Sequence, residues 1–345
     1  MVISMVKRKR QSSYSVMILT GLLLFNKAYS LEPIPKESGV AGFVNLGASV
    51  VNVESNLLAE TPFGDLGDKS LSSLNGSADG KTSVLPGVGF ELSYTWADSR
   101  TQVFLGNSLE DFLRFDFSTR AGVRQEFEKV GVLGASVIQS SLDTKVWKDP
   151  YDTHSVRSDT RRTSKGVRIT WDKVFGTELE LRYSAKDIDV DDEESGSGLG
   201  LSKVERALLD RNGTTRRADV SYLFNMGDAG ILVPRVSYLN HDRDGGAMSN
   251  DGVSLDVSYS LTRGRITYLA NAMVGQFDYE DANPVYHEED NATRLGLTFN
   301  IYLQDVFGFK GWVGNAGLAY FDESHDLDFY DTKAAMFNLG VLYRF

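Results

Sequence analysis

The sequence contains no cysteine and only 7 prolines in 345 residues. The missing cysteine excludes disulfide bonds and thiolate metal sites. Scarce proline together with 33 glycines suits many strands joined by turns, because proline interrupts strands and glycine permits tight turns. After residue 30 the chain also has no apolar run close to the roughly 18 residues that a membrane helix needs. Stability must therefore come from packing and from hydrogen bonds between strands.

Positive charge is also in short supply. The chain has 36 Lys and Arg residues against 47 Asp and Glu residues, for a net charge of −11. A protein that binds nucleic acid needs Lys and Arg to neutralise the phosphates. The charge balance therefore excludes nucleic acid as an expected partner.

The first 30 residues have the three parts of a secretory signal peptide. Residues 7–10 are basic, residues 16–25 (VMILTGLLLF) are apolar, and Ala28-Tyr29-Ser30 offers small residues at the two positions that a signal peptidase reads. The apolar part is too short to cross about 30 Å of hydrocarbon as an anchor. We expect cleavage after Ser30, which leaves an exported domain of residues 31–345. Loss of five basic and no acidic residues takes the net charge from −11 to −16.

Apolar and polar residues alternate through most of the exported domain. In residues 88–97 (VGFELSYTWA), for example, every second residue is apolar or aromatic. A period of two is typical of strands with one apolar face. About fourteen segments show it, near 40–54, 86–97, 101–107, 114–127, 129–141, 161–173, 177–187, 213–225, 229–240, 252–263, 265–277, 290–303, 310–321 and 334–345. The third and fifth are the weakest, so twelve strands is the alternative.

Link lengths and aromatic positions favour a membrane barrel over a soluble sandwich, which has the same alternation. The links alternate between short ones, as at 174–176, and long polar ones, as at 188–212. Aromatic residues of the apolar face collect near strand ends as two girdles, with Trp96, Phe127, Trp171, Phe224, Tyr259 and Phe345 in one and Tyr183, Tyr238 and Tyr320 in the other. Outer-membrane barrels have such girdles, short periplasmic turns and long extracellular loops. The sequence therefore predicts an all-β fold, a transmembrane antiparallel up-and-down β-barrel.

The C-terminal segment MFNLGVLYRF supports the same fold. Counted back from the end, every second residue is apolar or aromatic: Phe345, Tyr343, Val341, Leu339 and Phe337. A barrel has no free edge only if its last strand pairs with its first. We interpret these residues as the outward face of a closing strand and as the signal that the barrel-assembly machinery of Gram-negative bacteria recognises. Outer-membrane lipid and lipopolysaccharide are then the expected surroundings.

A family resemblance accompanies this pattern. Residues 34–47 (IPKESGVAGFVNLG), directly after the predicted signal peptide, resemble the opening of a gammaproteobacterial family of uncharacterised proteins, domain of unknown function 2860. VFLG at 103–106, DPY at 149–151 and LDRNG at 209–213 are similar to that family too. The resemblance covers essentially the whole exported domain. It implies an outer-membrane protein, and it brings no activity and no functional residues.

The four histidines do not indicate an enzyme. His154, His241, His287 and His325 all fall in predicted long loops near carboxylates. A protease could use a His/Asp pair at the barrel rim, and a phospholipase needs a Ser/His pair on the lipid-facing wall. No histidine falls on a predicted strand, and solvated loops account for all four. We therefore expect neither enzymatic activity nor a cofactor.

Two acidic runs, at 187–194 and 322–328, are candidates for divalent cations. Carboxylate oxygens are the ligands that Ca²⁺ prefers, but neither run has the Gly and Glu spacing of a dedicated calcium loop. We expect solvation, or weak bridging of cations to lipopolysaccharide, and no metal site.

The polar face, which lines the predicted lumen, is charged on strands 114–127, 161–173, 177–187 and 213–225. Arg162 and six further cations point inward there, interleaved with carboxylates, and the six are the candidate solute contacts: Arg120, Arg124, Arg168, Arg182, Lys186 and Arg217. The later strands turn small, neutral or apolar inside. One interpretation is a ladder of cross-strand ion pairs that holds the wall. The other is a binding track for an anionic solute.

The hairpin at 174–176 bears on this choice. A turn centred on Phe175 places Arg168 opposite Arg182, and facing like charges are destabilising unless an anion lies between them. A register shifted by one pair instead places Arg168 opposite Glu180, which is an ion pair without a role in transport. The alternation allows both registers.

A porin-like diffusion channel for small solutes, with anions as the candidate class, is the function that we favour. One alternative is a barrel that acts in adhesion or envelope stability without transport. Another is uptake of hydrophobic molecules, suggested by the inward residues Phe43, Leu269, Met273 and Phe321. The loop at 55–85, rich in Gly, Ser and Leu, is a candidate constriction or plug.

Overall fold

Fourteen strands form a closed antiparallel barrel in the computed structural model, which describes residues 33–345. In chain order they are β1 Gly39–Ser55, β2 Lys81–Trp96, β3 Thr101–Asp111, β4 Asp116–Phe127, β5 Gly131–Ser140, β6 Asp159–Asp172, β7 Leu179–Val190, β8 Gly213–Tyr222, β9 Ile231–Arg243, β10 Asn250–Arg263, β11 Ile266–Tyr279, β12 Asn291–Gln304, β13 Trp312–His325 and β14 Thr332–Arg344. Each strand pairs with the next, and β14 pairs with β1. The predicted fourteen-stranded barrel is confirmed, and the alternative of twelve strands is wrong. The predicted signal peptide, 1–30, lies outside the described residues.

Barrel closure is a continuous ladder between β1 and β14. The register runs from Phe43 opposite Arg344 to Ser55 opposite Thr332. Phe345 extends this ladder, because it exchanges two backbone hydrogen bonds with Gly42, of 3.0 and 3.1 Å. Pairing thereby satisfies the backbone groups of both strands, which find no water in the hydrocarbon of a bilayer.

The outer surface carries a belt of apolar side chains. Val88 and Leu92 on β2, and Leu297 and Phe299 on β12, are large apolar residues that point outward and are exposed. On β14 and the residue after it, the outward residues are the five of the predicted closing strand, Phe337, Leu339, Val341, Tyr343 and Phe345. Alternate apolar residues around a closed barrel are the surface that faces lipid.

The two ends of the barrel have connections of different length. The short-turn end has turns at 97–100, 128–130, 173–178, 223–230, 264–265 and 305–311. The long-loop end has loops at 56–80, 112–115, 141–158, 191–212, 244–249, 280–290 and 326–331. The loops contain the short strands Leu58–Thr61, Gly64–Asp65 and Thr144–Trp147 and the helix α1, Lys203–Ala207. In the described part of the chain, no helix has the length and apolar character to cross a membrane.

Both registers predicted for the hairpin between β6 and β7 are wrong. Arg168 pairs with Ser184, two residues beyond Arg182. The turn is longer than the prediction assumed, since the last pair of the ladder is Asp172 with Glu180. Its backbone is left-handed at Lys173 (φ 52°), Phe175 (φ 51°) and Gly176 (φ 80°). The two arginines therefore do not face each other, and no repulsion between them requires an anion.

The end of β3 and the link that joins it to β4 fold into the lumen. Residues 109–115 (LEDFLRF), here the inserted segment, bury Phe112, Leu113 and Phe115. The Phe112 ring lies 4.6 Å, between centroids, from the Phe321 ring of β13. Because β13 is not a neighbour of β3 or β4, this contact shows that the segment reaches across the interior.

The loop at 55–85, the predicted constriction or plug, packs against the inserted segment and does not fill the lumen by itself. Its residues Leu58 and Leu66 belong to the buried cluster that contains Phe112 and Phe115. The inserted segment, which has no signature in the sequence, contributes Phe112, Leu113 and Phe115 to that cluster inside the lumen. The alternation of β3 ends near residue 107, and nothing in the residues that follow marks them as inward.

Six of the long loops meet over the mouth of the barrel. Their shared apolar cluster, here the loop cover, contains Leu57, Leu71, Leu74, Tyr151, Leu209, Ala247, Val285, Tyr286, Leu327, Phe329 and Tyr330. Polar contacts also join the loops. The Tyr151 and Tyr330 hydroxyls lie 2.6 Å apart. Burial raises the pKa of both hydroxyls, so they stay protonated and keep this hydrogen bond. Arg157 Nη1 donates to Asn56 O over 2.9 Å and joins two loops. The loop cover closes the long-loop end.

A larger residue at position 47 should block barrel closure. Gly47 lies opposite Gly340 across the seam and Gly87 on the other side, and a Cβ on it would lie 2.5 Å from Leu339 O. We expect Gly47→Val to lose most of the heat-modifiable form, which migrates differently in unboiled and boiled samples on denaturing gels. The control is Ala48→Val, which adds bulk to the exposed outward face. Equal folding of both variants would contradict the prediction.

Candidate functional site

The lumen contains a cavity of about 150 Å³ between the inserted segment and the wall, here the inner cavity. Nine basic and five acidic residues line it. The basic residues are Arg114, Arg162, Arg168, Arg182, Lys186, Arg217, Arg235, Arg243 and Arg294, and the acidic residues are Glu110, Asp111, Asp116, Asp219 and Asp256. In a chain with a net charge of −11, this excess of positive charge is local to the lumen.

Ion pairs hold the inserted segment to two sides of the wall. The Glu110 carboxylate lies 2.7 Å from Arg168 Nη2 on β6. On the other side, Glu323 Oε1 of β13 lies 3.3 Å from Arg114 Nη2 of the segment and 2.7 Å from Arg294 Nη2 of β12. These side chains are largely buried, where the attraction between charges is stronger than at the surface. The segment therefore bridges β6 and β13 through charge as well as through apolar packing.

The six cations predicted as solute contacts lie on the lumen side, and each has a carboxylate partner. The pairs are Arg120–Glu110 at 3.8 Å, Arg124–Asp172 at 3.3 Å, Arg168–Glu110 at 2.7 Å, Arg182–Glu180 at 2.6 Å, Lys186–Asp116 at 2.5 Å and Arg217–Asp219 at 2.6 Å. The inner cavity is lined by four of the six, and not by Arg120 or Arg124. Contact of these cations with a solute stays a prediction.

Three other arginines of the inner cavity have no carboxylate partner within residues 33–345. Arg235 is only 4% exposed, and its Nε and Nη2 atoms have no acceptor there. Arg243 Nη2 lies 3.1 Å from Thr215 Oγ1 and 3.3 Å from His241 Nδ1, whereas its buried Nη1 has no acceptor in the same range. Arg162 lines the cavity without a hydrogen bond or ion pair to the described chain. Arg235 is buried and the other two are half-buried. A charge removed from water without a partner is unfavourable, so these groups attract an anion.

Charge also extends to the later strands, so the prediction that they are small, neutral or apolar inside is wrong in part. Arg235 on β9, Asp256 on β10, Arg294 on β12 and Glu323 on β13 are all buried and point inward. The phase of the alternation would have found both cations, since Arg235 alternates with the apolar Pro234 and Val236, and Arg294 precedes the outward Leu295. Glu323 lies beyond the predicted end of its strand.

Two of the four histidines lie on strands, contrary to the prediction. His241 is buried on β9 and His325 is the last residue of β13, because both strands continue past the end of their apolar alternation. His325 Nδ1 lies 2.7 Å from Asp290 Oδ2. His154 and His287 do lie in loops. Between residues 33 and 345, no three His, Asp or Glu side chains are grouped so that they could hold a metal ion.

A second cavity, of about 110 Å³, lies on the loop-cover side of the inserted segment, here the outer cavity. Loop residues such as Leu57, Met248 and Tyr330 bound it. It shares six lining residues with the inner cavity, Leu113, Arg114, Arg162, Ile188, His241 and Arg243. The two cavities therefore adjoin where the inserted segment approaches β6, β7 and β9.

Comparison with known proteins gives one family and several distant structures. The family model "Protein of unknown function (DUF2860)" matches residues 39–344. No curated protein matches the chain. The outer membrane channel DcaP of Acinetobacter baumannii is 13% identical, with a TM-score of 0.44 over 90% of this chain and 97% of that one. OccAB1 of Acinetobacter baumannii is 8% identical (TM-score 0.40; 88% and 96%), and OccK3 (OpdO) of Pseudomonas aeruginosa is 12% identical (TM-score 0.36; 89% and 95%).

Replacing Glu323 by Gln should destabilise the barrel. The change removes the charge that Arg114 and Arg294 share, and breaking a buried ion pair from one side costs about 3–5 kcal/mol. We expect a lower denaturant midpoint of unfolding in lipid vesicles, followed by tryptophan fluorescence. The control is Asp322→Asn, since Asp322 lies next in the chain and its carboxylate accepts from the exposed Tyr320 hydroxyl. An unchanged midpoint for Glu323→Gln would show that these contacts do not hold the segment.

Proposed function

The chain belongs to the DUF2860 family of proteins of unknown function, and we propose that it is an outer-membrane channel for small anionic solutes. The observation that carries the proposal is the inner cavity, where Arg162, Arg235 and Arg243 have no carboxylate partner among residues 33–345. The barrel encloses these cations, and four of the five carboxylates that line the cavity already pair with other cations. The fifth, Asp256, lies opposite Arg235 across β9 and β10 without an ion pair within residues 33–345. A solute anion in the lumen supplies the missing counter-charge.

The energy of the unpaired arginines supports this role. A buried guanidinium without an acceptor loses hydration at a cost of several kcal/mol. An anion about 4 Å away returns about 4 kcal/mol at the effective dielectric constant of 20 that suits partly buried sites. The attraction is large enough to favour anions over cations in the cavity. It is small enough for an anion to leave again, as conduction requires.

The route of the solute has three parts. From the long-loop end it passes the loop cover and the outer cavity, then the inserted segment, and then the inner cavity. Nearer the short-turn end the lumen is lined by amides, where Asn315 Nδ2 donates to Asn45 Oδ1 over 2.8 Å. Because the Tyr151–Tyr330 hydrogen bond and the apolar cluster close the mouth, transport includes an opening of the loop cover. We therefore expect small, intermittent conductance.

The outward belt and the predicted signal peptide support a location in the outer membrane of a Gram-negative bacterium. In that setting the short-turn end faces the periplasm and the long-loop end faces outward. The expected partners are outer-membrane lipid, lipopolysaccharide and the barrel-assembly machinery. Phe345 and the other outward residues of β14 are the candidate assembly signal.

A structural barrel without transport is the second candidate. It is favoured by the ion pairs of all six predicted contact cations and by the closed loop cover. Uptake of hydrophobic molecules has less support, because Phe43 and Leu269 pack against the buried Tyr302, Val313 and Leu342. That packing covers two of the four inward residues on which the alternative relied, and the other two, Met273 and Phe321, line the charged inner cavity.

Reversal potentials across planar bilayers with a salt gradient test the channel. We expect the parent protein to prefer chloride over potassium ions. Arg235→Gln should lower the permeability ratio several-fold, because it removes a lumen charge without breaking an ion pair. Arg243→Gln should act in the same direction.

The matched control is Arg216→Gln, because Arg216 is exposed at the outer surface and pairs with Asp242 at 3.0 Å. It should leave the permeability ratio unchanged. Cation preference in the parent, equal ratios in parent and lumen variants, or no conductance at all would favour the structural barrel.

A further inference from the structure

The protonation of His241 follows from its neighbours. Its Nδ1 atom lies 3.3 Å from Arg243 Nη2 and 3.1 Å from Thr215 Oγ1. A guanidinium nitrogen can only donate, so Nδ1 accepts and the proton of the neutral ring is on Nε2. Nε2 is buried and has no acceptor among residues 33–345. His241 therefore presents an N–H donor where the inner and outer cavities meet.

The other polar groups at this junction are donors as well. The six residues that line both cavities include no carboxylate. Arg243 offers its buried Nη1. Arg162 makes no hydrogen bond or ion pair elsewhere in the described chain, and the nearby carboxylates of Asp111 and Asp116 already pair with Arg114 and Lys186. Glu323, which lines the outer cavity, is already shared by Arg114 and Arg294. Donors without an acceptor match an oxyanion, whose oxygens accept several hydrogen bonds.

Apolar side chains surround these donors on the outer side. The outer cavity is lined by Leu57, Leu58, Leu113, Val146, Ile188, Val190 and Met248, besides its polar residues. Its volume of about 110 Å³, next to about 150 Å³ in the inner cavity, is of the order that accepts a benzene ring. An inorganic oxyanion would satisfy the donors and leave this apolar wall uncovered.

We propose that the junction of the two cavities binds a small organic carboxylate with an apolar body. The carboxylate accepts from Arg243, His241 and Arg162, and the apolar body lies in the outer cavity against Leu113 and Ile188. The proposal rests on the channel function for the route by which the ligand enters. It adds a site of defined chemistry, at which a solute pauses between the loop cover and the inner cavity.

Calorimetric titration of the detergent-solubilised protein with three probes tests the site. Benzoate has both the carboxylate and a ring, benzyl alcohol has the ring without the charge, and acetate has the carboxylate without the ring. We expect saturable binding of benzoate, and binding of each other probe at least about tenfold weaker, since tenfold corresponds to about 1.4 kcal/mol. Acetate that binds as tightly as benzoate would overturn the apolar half of the proposal. Benzyl alcohol that does so would overturn the charged half.

Two variants locate the binding. Arg243→Gln and His241→Phe should each weaken benzoate about tenfold or more, because each removes a donor to the carboxylate. Arg216→Gln on the outer surface should leave the affinity unchanged, and the heat-modifiable band on gels shows that each variant is folded. If Arg243→Gln does not fold, His241→Phe decides the question. Parental affinity in every folded lumen variant would overturn the site.

The same titrations separate this site from the channel function. Anion-selective conductance without benzoate binding would overturn the carboxylate site and leave the channel. Saturable benzoate binding that depends on His241 and Arg243, in a protein without conductance, would support the site and contradict the channel.

Discussion

The pairing of β1 with β14 is the constraint on which the rest of the structure depends. In hydrocarbon no water is available to the backbone, so an unpaired strand edge would leave a row of unsatisfied N–H and C=O groups. The ladder from Phe43–Arg344 to Ser55–Thr332, extended by Gly42 and Phe345, removes both edges at once. It also fixes fourteen strands around one lumen, and every inward side chain is thereby enclosed.

An enclosed lumen has to be filled by side chains or by water. In this protein side chains fill part of the lumen and leave two cavities in the rest. The inserted segment places Phe112 and Leu113 inside, while its Glu110 and Arg114 pair with opposite walls. Six predicted cations are compensated by carboxylates that stand on the same wall or on the segment. Three arginines around the two adjoining cavities, Arg162, Arg235 and Arg243, have no carboxylate partner within residues 33–345. Both functional proposals derive from these three cations.

Sequence reasoning found the walls of the site but not its interior. Alternation placed Arg168, Arg182 and Lys186 inward correctly, because the phase of a strand needs only its own residues. It missed His241, because β9 continues past the end of its apolar alternation. That end of the strand is formed by hydrogen-bonded pairing with β8 and β10, which the alternation of β9 does not show. It also missed the inserted segment, because contacts such as Phe112 with Phe321 join residues far apart in the chain.

By itself, then, the sequence determined the barrel fold, the faces of the strands with clear alternation and the closure of the barrel at Phe345, and it favoured fourteen strands over twelve. These features follow from local periodicity and from the need to pair every backbone group in lipid. Only the tertiary structure decided which charges meet. The left-handed turn at Phe175 and Gly176 set Arg168 opposite Ser184, and the inserted segment brought Glu110 to it. Which side chains form ion pairs across the lumen depends on the strand register and on the course of the loops. The residue pattern of a single strand contains neither.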